Sequence, residues 1–182
     1  MKSSLENSLK VLAATLVSSL AGLFVTGTRI FDVSSQDFHF ILAGFLIGFM
    51  WIPVNRLVKG GVVLGIFLVY KGLLAPPFTD FFMRDLIFFL IFFFLSWCAP
   101  AGLQRWKLSR PVSRFVFGGI VVALAYLISA VMIVLTYPAY GWDLGELVKV
   151  NALYGFTIGL AVELGFELVN LLLTVMYVRH SD

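Results

Sequence analysis

Six apolar stretches separated by short polar loops make up most of the chain, approximately 11–31, 38–54, 61–75, 81–103, 115–137 and 150–178. About 20 apolar residues in an α-helix cross a ~30 Å hydrocarbon core. The pattern therefore predicts an all-α integral membrane protein, a bundle of six transmembrane helices. The third stretch is the shortest, since it is uncharged only over 61–70 before Lys71 interrupts it. Six spans leave little for a soluble part, so residues 1–182 read as a single polytopic membrane domain without repeats or a linker. The first stretch exceeds twenty apolar residues and no small-residue cleavage pattern follows it, so it is expected to stay as a span rather than act as a signal peptide.

The last stretch carries the most information. Its 29 residues would form a helix of roughly 43 Å, longer than the hydrocarbon core is thick. Glu163 and Glu167 are its only charges, and they sit near its middle. An ionised acid at the centre of a span costs on the order of 2.5–3.5 kcal/mol, so the pair is expected to face a protein interior or a wet cavity, or to stay protonated. At 100° per residue Ala152, Gly159, Glu163, Glu167, Asn170 and Thr174 share one side of the helix, turned away from Leu164, Leu168, Leu171 and Val175. Glu163, Glu167 and Asn170 are thus the candidate polar groups of a ligand cavity or a buried helix interface. Tyr154, Trp142 and His39 are candidates nearer its outer mouth. A hydrogen-bonded pair of acids that only locks this helix against its neighbours is the competing structural explanation.

Small residues recur at helix-packing spacing: Ala14, Ser18 and Gly22 in the first span, Gly44 and Gly48 in the second, Gly61 and Gly65 in the third, Gly155 and Gly159 in the sixth. Such faces let backbones approach closely in lipid, where no hydrophobic force holds helices together. Contacts within the chain are the default. The face Ala14, Ser18, Gly22 is also a candidate interface for a partner helix. Residues 86–94 of the fourth span are large on every side and are expected to meet lipid or an apolar partner.

Charge orients the bundle. With six spans, nine of the thirteen basic residues fall on one side: Lys2, Lys10, Arg56, Lys59, Arg105, Lys107, Arg110, Arg114 and Arg179. The opposite side holds Arg29, Lys71, Arg84 and Lys149 against Asp32, Asp37, Asp80, Asp85, Asp143 and Glu146. The positive-inside rule then places both termini in the cytoplasm, in an inner-type membrane. A composition of 60% hydrophobic and 13% charged residues, with a mean hydropathy of +1.00, agrees with a chain that lives in lipid. The net charge of +3 follows from the cytoplasmic loops and points to anionic lipid contact, with no case for nucleic acid. Trp106 and Pro111 among the charges of 104–114 read as an interfacial anchor, and the aromatics of 137–148 as a belt or as a lid over an outward-opening cavity.

Little in the sequence points to catalysis. Cys98 is alone, which excludes an internal disulfide and a cysteine-pair metal site. The two histidines, His39 and His180, show no metal-binding spacing, and no phosphate loop or Gly-x-Ser-x-Gly occurs. No metal or other cofactor is expected. Two acids one turn apart could do acid/base work, because like charges push one pKa up. A nucleophile or electrophile to go with them is missing, so an intramembrane enzyme is the least favoured class.

Six spans, both termini inside, about 180 residues and a small-residue face on the first helix (Ala14, Ser18, Gly22) together resemble the substrate-binding S-components of energy-coupling factor vitamin transporters. The resemblance is one of architecture over the whole chain. It implies a membrane subunit that binds a small molecule for uptake in the outer half of the bundle and docks on other membrane and cytoplasmic subunits. The six-span scaffolds of the rod-shape-determining type are similar in topology. There, an acidic residue is expected after the glycine-rich spans, where this chain has Asn55 and Arg56. Both comparisons share one expectation, a small membrane subunit of a larger complex.

Overall fold

The computed structural model describes residues 2–27, 35–74, 90, 111–136, 141 and 143–179. Among them are five helices: α1 (Lys2–Thr26), α2 (Ser35–Trp51), α3 (Arg56–Leu74), α4 (Pro111–Thr136) and α5 (Leu144–Arg179). Three stretches are long and apolar enough to cross a membrane: Ser4–Thr26, Phe115–Met132 and Leu144–Met176. The apolar parts of α2 and α3, Phe40–Trp51 and Leu57–Ile66, are shorter. The expected fourth span, 81–103, lies outside the described residues apart from Leu90.

The helices are longer than, or displaced from, the apolar runs, because local chemistry sets their ends. At the start of α1 the mostly polar residues 2–10 stay helical, helped by Lys10 Nζ donating to Glu6 Oε1 at 2.6 Å one turn away. Its end is Gly27, whose φ of 66° is a left-handed cap. Pro53 stops α2 at Trp51 rather than at 54. Asn55 opens α3 by accepting the Leu57 N–H on Oδ1 at 2.9 Å. Asp143 does the same for α5, taking the N–H groups of Gly145 and Glu146 at 2.8 and 3.2 Å. α5 then runs 36 residues, about 54 Å at 1.5 Å per residue.

Close approaches fix the helix directions. Positions 11 and 14 of α1 lie against Gly48 of α2, Ser18 against Gly44, and Gly22 against Phe40, so these helices are antiparallel. Gly118 and Gly119 of α4 meet Gly159, whereas residues 122–126 meet Gly155, so α4 and α5 are also antiparallel. Gly165 of α5 rests on the backbone of Ala13 and Ala14. The α2 and α5 helices run in parallel, with Phe40 beside Tyr154 at one end. The core between them is formed by Phe40, Ile47, Met50, Val122, Tyr126, Ile158 and Val162. Against this core α3 adds Val63, while nothing stands within 4 Å of a Cβ placed on Gly61 or Gly65. Outward faces are apolar: Leu12, Leu16, Leu20, Ile120, Leu124 and Leu164 are all exposed, as suits helices bathed in lipid.

Candidate functional site

Glu163 is the one acidic side chain in the buried core among the described residues, at 4% exposure. Periodicity places it there, since it follows Gly159 by one turn on the side of α5 that meets α4. The absence of a side chain at Gly118 makes the room. A Cβ at that glycine would stand 2.8 Å from Glu163 Cγ, 3.4 Å from its Oε1 and 3.0 Å from Cη2 of Trp51. Glu163 and Trp51 therefore border the same small volume on α4, where the last residue of α2 comes in. Trp51 Nε1 is buried without a hydrogen-bond partner. Lys59 Nζ donates to the Met50 carbonyl at 2.6 Å, setting a cation on the C-terminal end of α2.

This position differs from the middle of a membrane span. Gly118 is only three residues inside the apolar stretch Phe115–Met132, about 4.5 Å along the axis. The acid thus lies near the end of the bundle where α1 begins and α2 stops.

The remaining candidates fall into two groups. Glu167, half-buried, lies one turn further along α5, and half-buried Asn170 follows, its carbonyl accepting from Thr174 Oγ1 at 2.8 Å. The expected facing of α5 is seen here, with Leu164, Leu168, Leu171 and Val175 all exposed. At the other end Tyr154 meets Phe40 edge to face, ring centroids 5.1 Å apart. Nine residues, about 13.5 Å of helix, separate Tyr154 from Glu163. His39 precedes Phe40 in α2, although its side chain falls outside the described residues, as does Trp142 altogether.

The face Ala14, Ser18, Gly22 is filled from within the chain. Ala14 and Ser18 are 0% exposed, against Gly44 and Gly48 of α2 and Gly165 of α5, and Gly22 is closed by Phe40. A partner helix at this face is therefore replaced by an intramolecular seam: the glycines of α2 and α5 are complementary to it, and a bulkier residue on either side would not fit. Ser18 Oγ is left buried without a hydrogen-bond partner.

The neighbours of the acid had not been anticipated. Adjacent Gly118 and Gly119 were the available signal, because two glycines inside an apolar helix imply close backbone approach. No sequence pattern links Trp51 or Lys59 to Glu163. Among the described residues no group of three or more His, Cys, Asp or Glu side chains could hold a metal ion. Two grooves, of about 660 and 330 Å³, open between α1 and α2 and between α1, α4 and α5; Glu163 lines neither. Comparison of the chain with protein-family models, curated proteins and solved structures gave no match.

Proposed function

We propose that this chain is a six-span subunit of a larger complex in an inner-type membrane, with both termini cytoplasmic, and that it binds a small molecule for uptake. The observation that carries the reading is the buried carboxyl of Glu163 beside the unpartnered Trp51 indole N–H. Acids inside a bundle are costly and favour sites where their chemistry is used. Buried donors without acceptors are equally rare, and a polar ligand supplies what Trp51 lacks. The protein acts by binding and not by catalysis, since neither group has a nucleophile beside it in the sequence.

Chain direction is compatible with six spans. The Trp51 ring reaches Gly118, so the end of α2 and the start of α4 lie near one end of the bundle. An even number of crossings, zero included, then separates them, and two from α3 and the apolar run 81–103 would meet that count. The positive-inside distribution then puts that end in the cytoplasm. In this reading Glu163 lies at the cytoplasmic end and Tyr154 at the outer one, whereas the resemblance to S-components implies a ligand in the outer half of the bundle.

A non-transport assembly scaffold is the second reading, favoured by the way the Glu163 side chain fills the space over Gly118. Affinity purification from the native membrane, with identification of the companions, separates the two. An ATPase pair with a second membrane subunit is the expected result; cell-wall or secretion proteins would establish the scaffold.

A further inference from the structure

The helices of the core do not end together. Gly118 and Gly119 of α4 meet Gly159 in an antiparallel pair, so Pro111, the first residue of α4, is level with about Phe166. The α2 helix stops at Trp51, whose ring reaches the same Gly118. By contrast α5 continues to Arg179, about 20 Å past Phe166 at 1.5 Å per residue. Among the described helices α1 accompanies it: Gly165 rests on Ala13 and Ala14, and opposite directions then place residues 2–10 beside about 169–177. That part of α1 is mostly polar, with Lys10 paired to Glu6 and Ser8 Oγ donating to the Ser4 carbonyl at 3.1 Å. A turn carrying an ion pair and hydroxyls belongs among headgroups and water rather than in hydrocarbon.

At the same level α5 stays apolar. Leu164, Leu168, Leu171 and Val175 recur at intervals of four, three and four residues, within about 60° of one another around the helix, and each is 43–61% exposed. In the other direction the stripe passes through Ala161 and Thr157 into the groove of about 330 Å³ that α5 forms with Val17 and Ala21 of α1 and Phe115 of α4. Alternate spacings of four and three are the a/d seam of a coiled coil, whose side chains insert between those of a second helix. An apolar face exposed beyond the hydrocarbon marks a protein contact. The basic bias of one set of loops gives every copy of the chain one orientation, so two copies bring their α5 helices together in parallel. Leu164 and Leu171 then stand at d, with Leu168 and the β-branched Val175 at a, and leucine at d with a β-branched residue at a suits two parallel strands. We propose that the α5 stripe from Leu164 to Val175 is the interface of a parallel homodimer, formed by two copies of this chain about a two-fold axis along the membrane normal. The contact is isologous, so each copy covers the face that the other exposes. Confinement to one membrane in one orientation raises the effective concentration and offsets the shortness of the seam. Glu163 faces α4 and takes no part in it.

The test uses the full chain in native membranes, in a Cys98→Ser background. On mild oxidation Leu171→Cys should form a disulfide with its own copy, seen as a band of two chains on a non-reducing gel. Met176→Cys, also exposed but about 140° away around α5, should remain a single chain while reacting fully with a maleimide. In detergent, light scattering should give wild type the protein mass of two chains, and the Leu168→Gln, Leu171→Gln double variant that of one chain at unchanged helix content by circular dichroism. Should the double variant fail to fold, the cysteine pair decides alone. A single-chain mass for wild type, a folded double variant that stays dimeric, equal cross-linking at both cysteines, none at Leu171→Cys, or an adduct of Leu171→Cys with a different protein would each overturn the proposal.

Discussion

Replacing Gly159 by alanine adds one methyl group where two backbones touch. The new Cβ would stand 2.5 Å from the carbonyl oxygen of Gly118 and 2.8 Å from Cα of Gly119. Neither atom belongs to a side chain that could rotate away. Ordinary contact begins near 3.4 Å, so α4 and α5 must separate by about 0.6–0.9 Å at the crossing, a gap that forfeits a quarter to a half of each dispersion contact along the seam. Overpacking of this kind costs about 1–3 kcal/mol. Alanine also raises helix propensity by up to about 1 kcal/mol relative to glycine, which would mask part of the loss. Gly61→Ala provides the correction: it has the same propensity gain inside a helix, but nothing stands within 4 Å of its Cβ. The difference between the two variants isolates the strain, about 1–3 kcal/mol, or roughly five- to 150-fold in the ratio of folded to unfolded protein. Unfolding in mixed micelles at rising dodecyl sulfate fraction, followed by circular dichroism, measures it. Equal midpoints for Gly159→Ala and Gly61→Ala would refute the glycine-seam account of how α4 and α5 are held.

Three further outcomes are expected. Ser18→Ala removes a buried hydroxyl that has no partner and should leave the isolated protein as stable as wild type or more so, whereas Ser18→Leu, which must displace Gly44, should lower stability by about 1–3 kcal/mol in the same micelle titration. A stable, folded Ser18→Leu protein that only loses its companions would return this face to a partner helix. Asp143→Ala removes the acceptor for two N–H groups and should cost about 1 kcal/mol, seen as faster amide hydrogen exchange at Gly145 and Glu146; unchanged exchange would show that the cap is not formed. In a Cys98→Ser background, an impermeant thiol reagent should label Glu146→Cys in intact cells and reach Ser4→Cys only after permeabilisation, and the reverse pattern would invert the orientation.

Hydrophobic spacing made five helices legible, together with the inward turn of Glu163 and the outward turn of the leucines after it, because facing depends only on the angle per residue. Helix ends were less legible. Residues 2–10 are mostly polar yet helical, and an apolar run marks where a helix meets lipid, not where its hydrogen bonds stop. Small residues at 14, 18 and 22 announced a close approach but could not say whose backbone comes near; that depends on Gly44, Gly48 and Gly165, which belong to other helices. Level was not legible for a related reason. Glu163 is central in its own apolar run, yet α5 exceeds the membrane in length, and only its neighbours Gly118 and Trp51 reveal the level at which it sits. The apolar run 81–103 falls outside the described residues apart from Leu90, so the bulky 86–94 segment adds nothing to the account of the site.

The central claim is that Glu163 is buried for a ligand and not for packing alone. Glutamine preserves its size and much of its hydrogen bonding while abolishing ionisation. The most direct measurement is to purify wild type and Glu163→Gln in their native complexes, release the small molecules that co-purify, and identify them by mass spectrometry beside a thermal midpoint for each protein. The account predicts a small molecule present with wild type and lost from Glu163→Gln at an unchanged midpoint. The same small molecules in both preparations, or none in either with a lowered midpoint for Glu163→Gln, would contradict it and leave the acid as a lock between α2, α4 and α5.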